Sequence, residues 1–369
     1  MAGAPPKGGA KGGAGAPSLT VLLDVRLQML PVEAAPHLSG LGVPLSRDFS
    51  VHMLASRAEA VIASAAAASA AGGGKGAPAA ELAFENGDVA FVADPRNEDS
   101  GSANADKPRS TILSALGKLQ QNPKTAGSWT EGVRGDDHIP DATEIMELLL
   151  RRGNGGFVFY GAGRSASHLP PHDLAGLNVE GCRVAMLVDR ADNELTYRRQ
   201  SKIDTQKKRE DLALEEPLET AALWSLAGTG AVLLNQWSTS FHANRLLLNR
   251  VLDGLSDMNL TIGEALHYSA KAEEPLEDDV EDVPAPDKAG SRPGSGKSDK
   301  GRPGSGKGKK PATPNKDKGR ASQIKKPLDR TPSNSTLGIA NDTGPMYQLK
   351  SRVQYCPVIY GLPTFRLKA

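Results

Sequence analysis

The residues best placed to do chemistry follow two strand-length apolar runs in the middle of the chain. Phe157–Tyr160 is followed by Gly161-Ala162-Gly163, and Val184–Val188 is followed by Asp189-Arg190. Short apolar runs bounded by turn residues are typical of buried strands in a parallel sheet. In open α/β sheets, ligands bind in the crevice beyond the carboxyl ends of the strands. The sequence therefore predicts that Ala162 and Arg190 lie at such a crevice.

These two strand ends resemble the catalytic region of the CHAT family, the caspase- and separase-like cysteine peptidases. In that family the first strand ends in Gly-His-Gly, which carries the general base, and the next ends in Ser-Ala-Cys, which carries the nucleophile. Here Ala162 stands where the histidine is expected, and Arg190 stands where the cysteine is expected. A Cys–His peptidase needs a thiolate and a base within hydrogen-bond reach. The resemblance therefore implies a peptidase fold without peptidase activity.

Other motifs of the same family occur in the same order along the chain. They are Leu30-Pro31-Val32-Glu33, Asp94-Pro95-Arg96, Gly181-Cys182-Arg183, a strand ending in Trp237, and Gly361-Leu362-Pro363 near the end. The resemblance implies an α/β fold of caspase-like architecture, with a mostly parallel sheet flanked by helices and long disordered insertions.

Four stretches are also similar to the C-terminal region of a family of very large cilia- and flagella-associated proteins. They read FYGAGR, DLAGLNVEGC, EEPLETAALWSLAGTGAVLLNQW and VQYCPVIYGLP. This resemblance implies a scaffold role beside the central-pair microtubules of the ciliary axoneme, with other central-apparatus proteins as partners.

Composition divides the chain into a folded domain and low-complexity segments. The 369 residues include 40 Gly and 26 Pro with 4% aromatic residues, which indicates low-complexity sequence around a smaller core. We predict a disordered arm at 1–17, a CHAT-like domain at 18–270 with a low-complexity insertion at 72–81, a disordered insertion at 271–345, and a terminal strand within 346–369 that rejoins the domain.

Local patterns predict several elements of the domain and its compartment. The run at 49–54, FSVHML, predicts a strand, whereas the alanine-rich run at 57–71 and the amphipathic run at 141–152 predict helices. The net charge of +1, the absence of a signal-peptide pattern and the absence of a membrane-spanning apolar run predict a cytoplasmic protein with no membrane partner.

The cysteines and histidines leave an enzymatic alternative open. The chain has two cysteines, 174 residues apart, which gives neither a disulfide framework nor metal-ligand spacing. Cys182 begins its strand, so the default is a buried small side chain, and the alternative is an active cysteine peptidase whose catalytic pair lies elsewhere.

The histidines do not form a metal-binding pattern. Two prolines separate His168 from His172, and the adjacent residues Asp136-Asp137-His138 rarely converge on one ion. We predict no metal and no cofactor.

Two roles remain open for Arg190. Its guanidinium could bind an acidic peptide or another carboxylate, or it could form a structural ion pair with Asp189 or Asp192.

The long insertion becomes strongly basic after its acidic start. Asp287–Arg330 contains 14 Lys and Arg against 4 Asp. Arg-Pro-Gly-Ser-Gly-Lys occurs there twice, but neither copy follows a strand or opens a helix, as a phosphate-binding loop requires. Such a segment can hold polyanions by charge alone, and in an axoneme these would be the acidic tubulin tails. We predict no specific nucleic-acid partner, and the candidate interaction residues are Lys309, Lys310, Lys325 and Lys326.

Overall fold

The structure of the chain, a computed structural model, describes residues 17–71, 83–85, 89–99, 132–134, 138–152, 155–271 and 354–368. These residues all belong to one unit of the chain, formed by Met1–Glu273 and Met346–Ala369. The low-complexity insertion at 72–81, most of the arm at 1–17 and nearly all of the insertion at 271–345 lie outside the described residues.

Ten strands form two sheets in the part of the chain that the structure describes. They are β1 (Leu19–Leu22), β2 (Leu45–Asp48), β3 (Ala83–Glu85), β4 (Val89–Ala93), β5 (Gly132–Arg134), β6 (Gly156–Ala162), β7 (Val184–Ala191), β8 (Ala231–Asn235), β9 (Pro357–Gly361) and β10 (Arg366–Lys368). The larger sheet has the order β1-β2-β9-β8-β7-β6-β4-β5, and β10 pairs with β3 in the smaller one. Six of the seven neighbouring pairs in the larger sheet are parallel, and β9 runs antiparallel to β8.

Helices cover both faces of the larger sheet. Those described are α1 (Pro36–Ser39), α2 (Val51–Ala71), α3 (Ala142–Arg152), α4 (Pro171–Ala175), α5 (Glu194–Asp204), α6 (Arg209–Leu214), α7 (Pro217–Leu226), α8 (Phe241–Ser256) and α9 (Ile262–Lys271). One apolar cluster joins the sheet to α8 and α9, and the other joins it to α3, α4 and α7. The predicted α/β class, with a mostly parallel sheet flanked by helices, is confirmed. None of the described helices is long and apolar enough to span a membrane.

The centre of the sheet consists of strands whose residues are buried on both faces. Every residue of β6 and β8 is buried, and so are all but one of the residues of β7. Alternate residues of β6 face different helix layers, because Phe157 packs in the cluster with α7 and Val158 packs in the cluster with α8. Because helices cover both faces of the sheet, these strands are continuous apolar runs and do not alternate between apolar and polar residues.

The strand predicted at 49–54 is wrong, because these residues form the turn into α2 and its first residues. The preceding strand, β2, ends at Asp48, and α2 begins at Val51. The Ser50 hydroxyl accepts a hydrogen bond from the backbone N–H of Met53 at 3.2 Å, as an N-cap side chain does. This hydrogen bond stabilises the start of a helix, whereas the short apolar run had predicted a strand.

The β2 strand is buried although most of its side chains are polar. Arg47 is fully buried, and its Nε donates to the Glu33 carboxylate at 2.7 Å. Asp48 is also fully buried and forms an ion pair with Arg57 of α2 at 3.3 Å. Arg57 in turn donates to the backbone carbonyls of Thr229 and Gly230, which precede β8. These charges connect the N-terminal strands and α2 to the centre of the sheet.

Candidate functional site

The carboxyl ends of β4, β6 and β7 lie side by side, as the sequence predicts for the two central runs. The backbone N–H of Gly163 donates to the carbonyl of Ala191 at 3.1 Å, and that of Arg190 donates to the carbonyl of Gly163. Ala162 and Arg190 therefore lie at neighbouring strand ends. We call this region, with the loops 94–99, 163–168 and 189–193, the strand-end crevice.

The loop 94–99 forms one wall of the strand-end crevice. The Asp94 carboxylate accepts the backbone N–H groups of Glu98 at 2.9 Å and Asp99 at 3.1 Å, which closes the loop on itself. The Asp99 carboxylate then accepts the Tyr160 hydroxyl and an Arg245 nitrogen, both at 2.7 Å. These contacts fix the backbone that carries the residues between Asp94 and Asp99.

Helix α5 closes the strand-end crevice above Gly163. Its position is set by Glu98, whose carboxylate accepts two hydrogen bonds from Arg199, at 2.6 and 2.9 Å, and one from the Thr196 hydroxyl at 2.6 Å. A side chain added at Gly163 would meet Gln200 at 3.0 Å. Ala162 is only 4% exposed. The chain's own helix thus occupies the space beyond the end of β6.

Arg190 is held at the end of β7 in an unusual backbone conformation. Its φ angle is +59°, in the left-handed region that few residues other than glycine adopt. The half-buried guanidinium donates to the backbone carbonyl of Glu215 at 2.8 Å, whereas the Glu215 carboxylate pairs with Arg164 at 3.0 Å and with Lys207. Among the described residues, the contact of Arg190 is thus with a carbonyl and not with a carboxylate.

Asp189 is fully engaged inside the protein. Its carboxylate accepts both the backbone N–H and the hydroxyl of Ser165 at 2.8 Å. Burial raises the pKa of Asp189, and the charge of Arg190 opposes that shift. The side-chain amides of Asn235 and Asn244 donate to the Asp189 carbonyl at 2.8 and 2.9 Å. This network anchors the end of β7 to β8 and α8.

The two cysteines are held as neutral thiols. Cys182 precedes β7, and burial raises its pKa to about 12; Cys356 precedes β9, and burial raises its pKa to about 11. Each sulfur donates to a backbone carbonyl, that of Val184 at 3.5 Å and that of Trp237 at 3.2 Å. A nucleophilic cysteine must be a thiolate, and burial without a nearby base works against that form.

The histidines singled out in the sequence do not converge. His168 is buried against the ring of Phe159, and burial lowers its pKa to about 3. His172 lies beside Asp173 at 3.4 Å on the surface, and His138 contacts Glu144 at 2.7 Å. Asp136 and Asp137 lie outside the described residues. Within the described ranges, no group of three or more His, Cys, Asp or Glu residues could hold a metal ion.

Sequence reasoning missed the residues that fill the strand-end crevice. Arg96 is the last residue of the Asp94-Pro95-Arg96 turn and Glu98 lies two residues after it, so that turn was the signal that could have led to both. Helix α5 also had a start signal, because the Asn193 side chain accepts the Thr196 N–H at 2.8 Å as an N-cap. The candidate residues Lys309, Lys310, Lys325 and Lys326 lie outside the described residues.

The backbone strain at Arg190 can be measured with paired substitutions. We expect Arg190→Gly to unfold with a free energy about 1 kcal/mol higher than that of Arg190→Ala, because both lack the guanidinium and glycine alone tolerates positive φ. At Arg198, an exposed position within α5, the order should reverse by about the same amount, because glycine weakens helices. Urea unfolding of the four variants checks both signs, and equal stabilities at position 190 would contradict the strain.

The chain is similar in sequence to a much longer ciliary protein. Over 269 residues, 68% of this chain, the chain is 34% identical to "Cilia- and flagella-associated protein 46" of Chlamydomonas reinhardtii. The chain spans only 9% of the length of that protein. No protein-family profile matches the chain.

Solved structures give a more distant likeness. Two crystal structures of the Saccharomyces cerevisiae separase–securin complex align with this chain at 14% and 12% sequence identity, with TM-scores of 0.44 and 0.49. The alignments cover 66% and 92% of this chain, and 13% and 15% of the matched chains.

Proposed function

We propose that this chain is a non-catalytic module of CHAT-like, caspase-like fold that serves as a structural or interaction element of the ciliary axoneme, in its central apparatus. The observation that carries the proposal is the 34% identity to "Cilia- and flagella-associated protein 46" over 68% of the chain. The role would be in the assembly or motility of the cilium, and the protein would be located in the axoneme.

The geometry of the strand-end crevice supports the non-catalytic part of the proposal. The resemblance assigns the positions of the base and the nucleophile of a peptidase to Ala162 and Arg190, and α5 lies against the adjacent Gly163. Both cysteines are buried as neutral thiols. Neither Cys182 nor Cys356 donates to a histidine among the described residues, because each donates to a backbone carbonyl. An acyl-transfer mechanism would lack both its thiolate and its general base.

The partners that fit the proposal are other central-apparatus proteins and, through the basic segment, acidic tubulin tails. Asp287–Arg330 carries 14 basic residues against 4 acidic ones, including Lys309, Lys310, Lys325 and Lys326. Attraction between such a segment and a polyanion releases counterions and weakens steeply with salt. Arg190 is the candidate contact within the folded part of the chain.

The location is tested with a tagged chain in ciliated cells. We expect the protein to stay with the axoneme after detergent extraction and to lie at the central pair in immunogold sections. A variant lacking residues 284–330 should detach from axonemes at lower salt than the intact chain if the basic segment binds tubulin tails. Recovery of the intact chain in the detergent-soluble fraction would overturn the axonemal role.

The absence of peptidase activity is tested on the same protein. A thiol-directed peptidase probe should label the folded chain no more than the Cys182→Ala and Cys356→Ala variants. Labelling that disappears in one of these variants would identify a reactive cysteine and would favour an active peptidase instead.

A further inference from the structure

Arg96 differs from the other arginines of the strand-end crevice because it has no hydrogen-bond or ion-pair partner among the described residues. Arg164 and Arg199 pair with carboxylates, and Arg190 donates to a carbonyl. The half-buried guanidinium of Arg96 has no hydrogen bond or ion pair with any residue that the structure describes, and its buried Nε lacks an acceptor. Leaving a charged donor unpaired away from water is unfavourable, so the site is incomplete without water, an ion or a ligand.

The position of Arg96 suits a ligand site. It is the third residue after β4, in the rigid loop 94–99, at the carboxyl end of a parallel strand. In sheets of this kind, ligands bind beyond the carboxyl ends of the strands. The loop holds the Arg96 backbone through contacts that do not involve its side chain, so the guanidinium is free to meet a ligand.

Two charged side chains act on Arg96 among the described residues, one of each sign. Burial lowers the pKa of Arg96, and the positive charge of Arg199 lowers it further. The negative charge of Glu98 opposes this shift. Glu98 is already bound by Arg199, so their charges cancel. His168, which Arg96 also influences, is a neutral imidazole at physiological pH because its pKa is lowered to about 3. The uncompensated charge is that of Arg96 itself.

We propose that Arg96 is the anchor of a carboxylate-binding site on the loop 94–99, which takes an aspartate, a glutamate or a C-terminal carboxylate of a partner protein. The planar guanidinium presents paired N–H donors that match the two oxygens of a carboxylate. A single net charge matches a monoanion, which favours a carboxylate over a phosphate group with nearly two charges. The inference deepens the proposed interaction role by naming the chemistry of the partner.

Carboxylate binding is tested by NMR on the full chain with ¹⁵N-labelled arginine. The Nε–H signal of Arg96 is identified by its loss in Arg96→Lys. Titration with the tripeptide acetyl-Gly-Glu-Gly-amide should shift this signal saturably, whereas acetyl-Gly-Gln-Gly-amide should not. Affinity should fall at least about tenfold in Arg96→Lys and in Arg96→Met, followed through the Arg199 signal, because a charge-assisted bidentate contact is lost.

Lys202→Met is the matched control, because Lys202 is an exposed cation on α5 without a carboxylate partner among the described residues. It should leave the affinity unchanged. Equal binding of the Glu and Gln tripeptides, tighter binding of inorganic phosphate, or equal losses in Lys202→Met and Arg96→Met would each overturn the proposal.

The stability of the ligand-free protein gives an independent readout. Arg96→Met keeps the aliphatic stem and removes an unpaired charge, so its melting temperature should be equal to or higher than that of the wild type. A folding failure or a lower melting temperature would mean that Arg96 is a structural residue, and the site would be rejected. Neither result depends on where the protein resides in the cell, so the ciliary proposal stands or fails separately.

Discussion

Replacing Arg57 with leucine should lower the free energy of unfolding by about 3–5 kcal/mol, because it leaves the fully buried Asp48 carboxylate without its cation. The same substitution removes the two hydrogen bonds that Nη1 of Arg57 donates to the carbonyls of Thr229 and Gly230 before β8. Burial already raises the pKa of Asp48, and Arg57 opposes that shift. Without Arg57 the carboxyl group should protonate more readily, so the loss should shrink as the pH is lowered.

Denaturant unfolding at neutral and acidic pH measures both effects, with Arg198→Leu as the control. Arg198 pairs with Glu194 on the exposed side of α5, and such a pair contributes less than about 1 kcal/mol. Adding Asp48→Asn to Arg57→Leu should recover part of the lost stability, because the second change removes the unpaired charge. A loss at Arg57 no larger than that at Arg198 would show that the buried ion pair is not important for stability.

The importance of Arg57 could not be predicted from the sequence. Sequence patterns identify buried strands by apolar residues, and β2 reads LSRD, in which Ser46, Arg47 and Asp48 are at most 1% exposed. These side chains are buried because each has a partner elsewhere in the fold, and a linear pattern does not show partners. For this reason the strand was predicted in the apolar run at 49–54, although the actual strand, β2, ends just before it.

The central strands could be predicted because their burial depends on their own composition. The central runs of β6, β7 and β8 are apolar, and helices cover them on both faces of the sheet. The small or charged residue after each run marks the strand end, so the placement of Ala162 and Arg190 at neighbouring strand ends followed from the pattern. Their role in binding stays a prediction.

What fills the strand-end crevice could not be predicted in the same way. Helix α5 is mostly polar, and it is positioned by a contact between Arg199 and Glu98, which are 101 residues apart in sequence. The contact of Arg190 with the Glu215 carbonyl is also distant in sequence, although the charge of Arg190 opposes the raised pKa values of Asp189 and Asp192. Long-range polar contacts, rather than local periodicity, decide which side chains are free to bind a ligand.

Replacing Glu98 with glutamine should lower the free energy of unfolding by about 2–3 kcal/mol at neutral pH, because the charged hydrogen bonds from Arg199 are lost. The bonds from Arg199 and Thr196 lower the pKa of Glu98, although burial acts against them. A carboxyl group with a lowered folded-state pKa stabilises the protein above its unfolded pKa of about 4.3, and this stabilisation disappears as the pH falls through the folded value. The variant and the wild type should therefore converge in acid.

Denaturant unfolding between pH 7 and pH 3.5 checks this convergence, and Glu194→Gln is the control because Glu194 pairs with Arg198 in an exposed position. A difference from wild type that stays constant with pH would contradict the assignment of the effect to the ionised Glu98. The substitution also frees Arg199 beside Arg96, which raises the local charge from one to two. If charge sets the preference of the carboxylate site, inorganic phosphate should bind Glu98→Gln more tightly than the wild type, whereas Glu194→Gln should behave like the wild type.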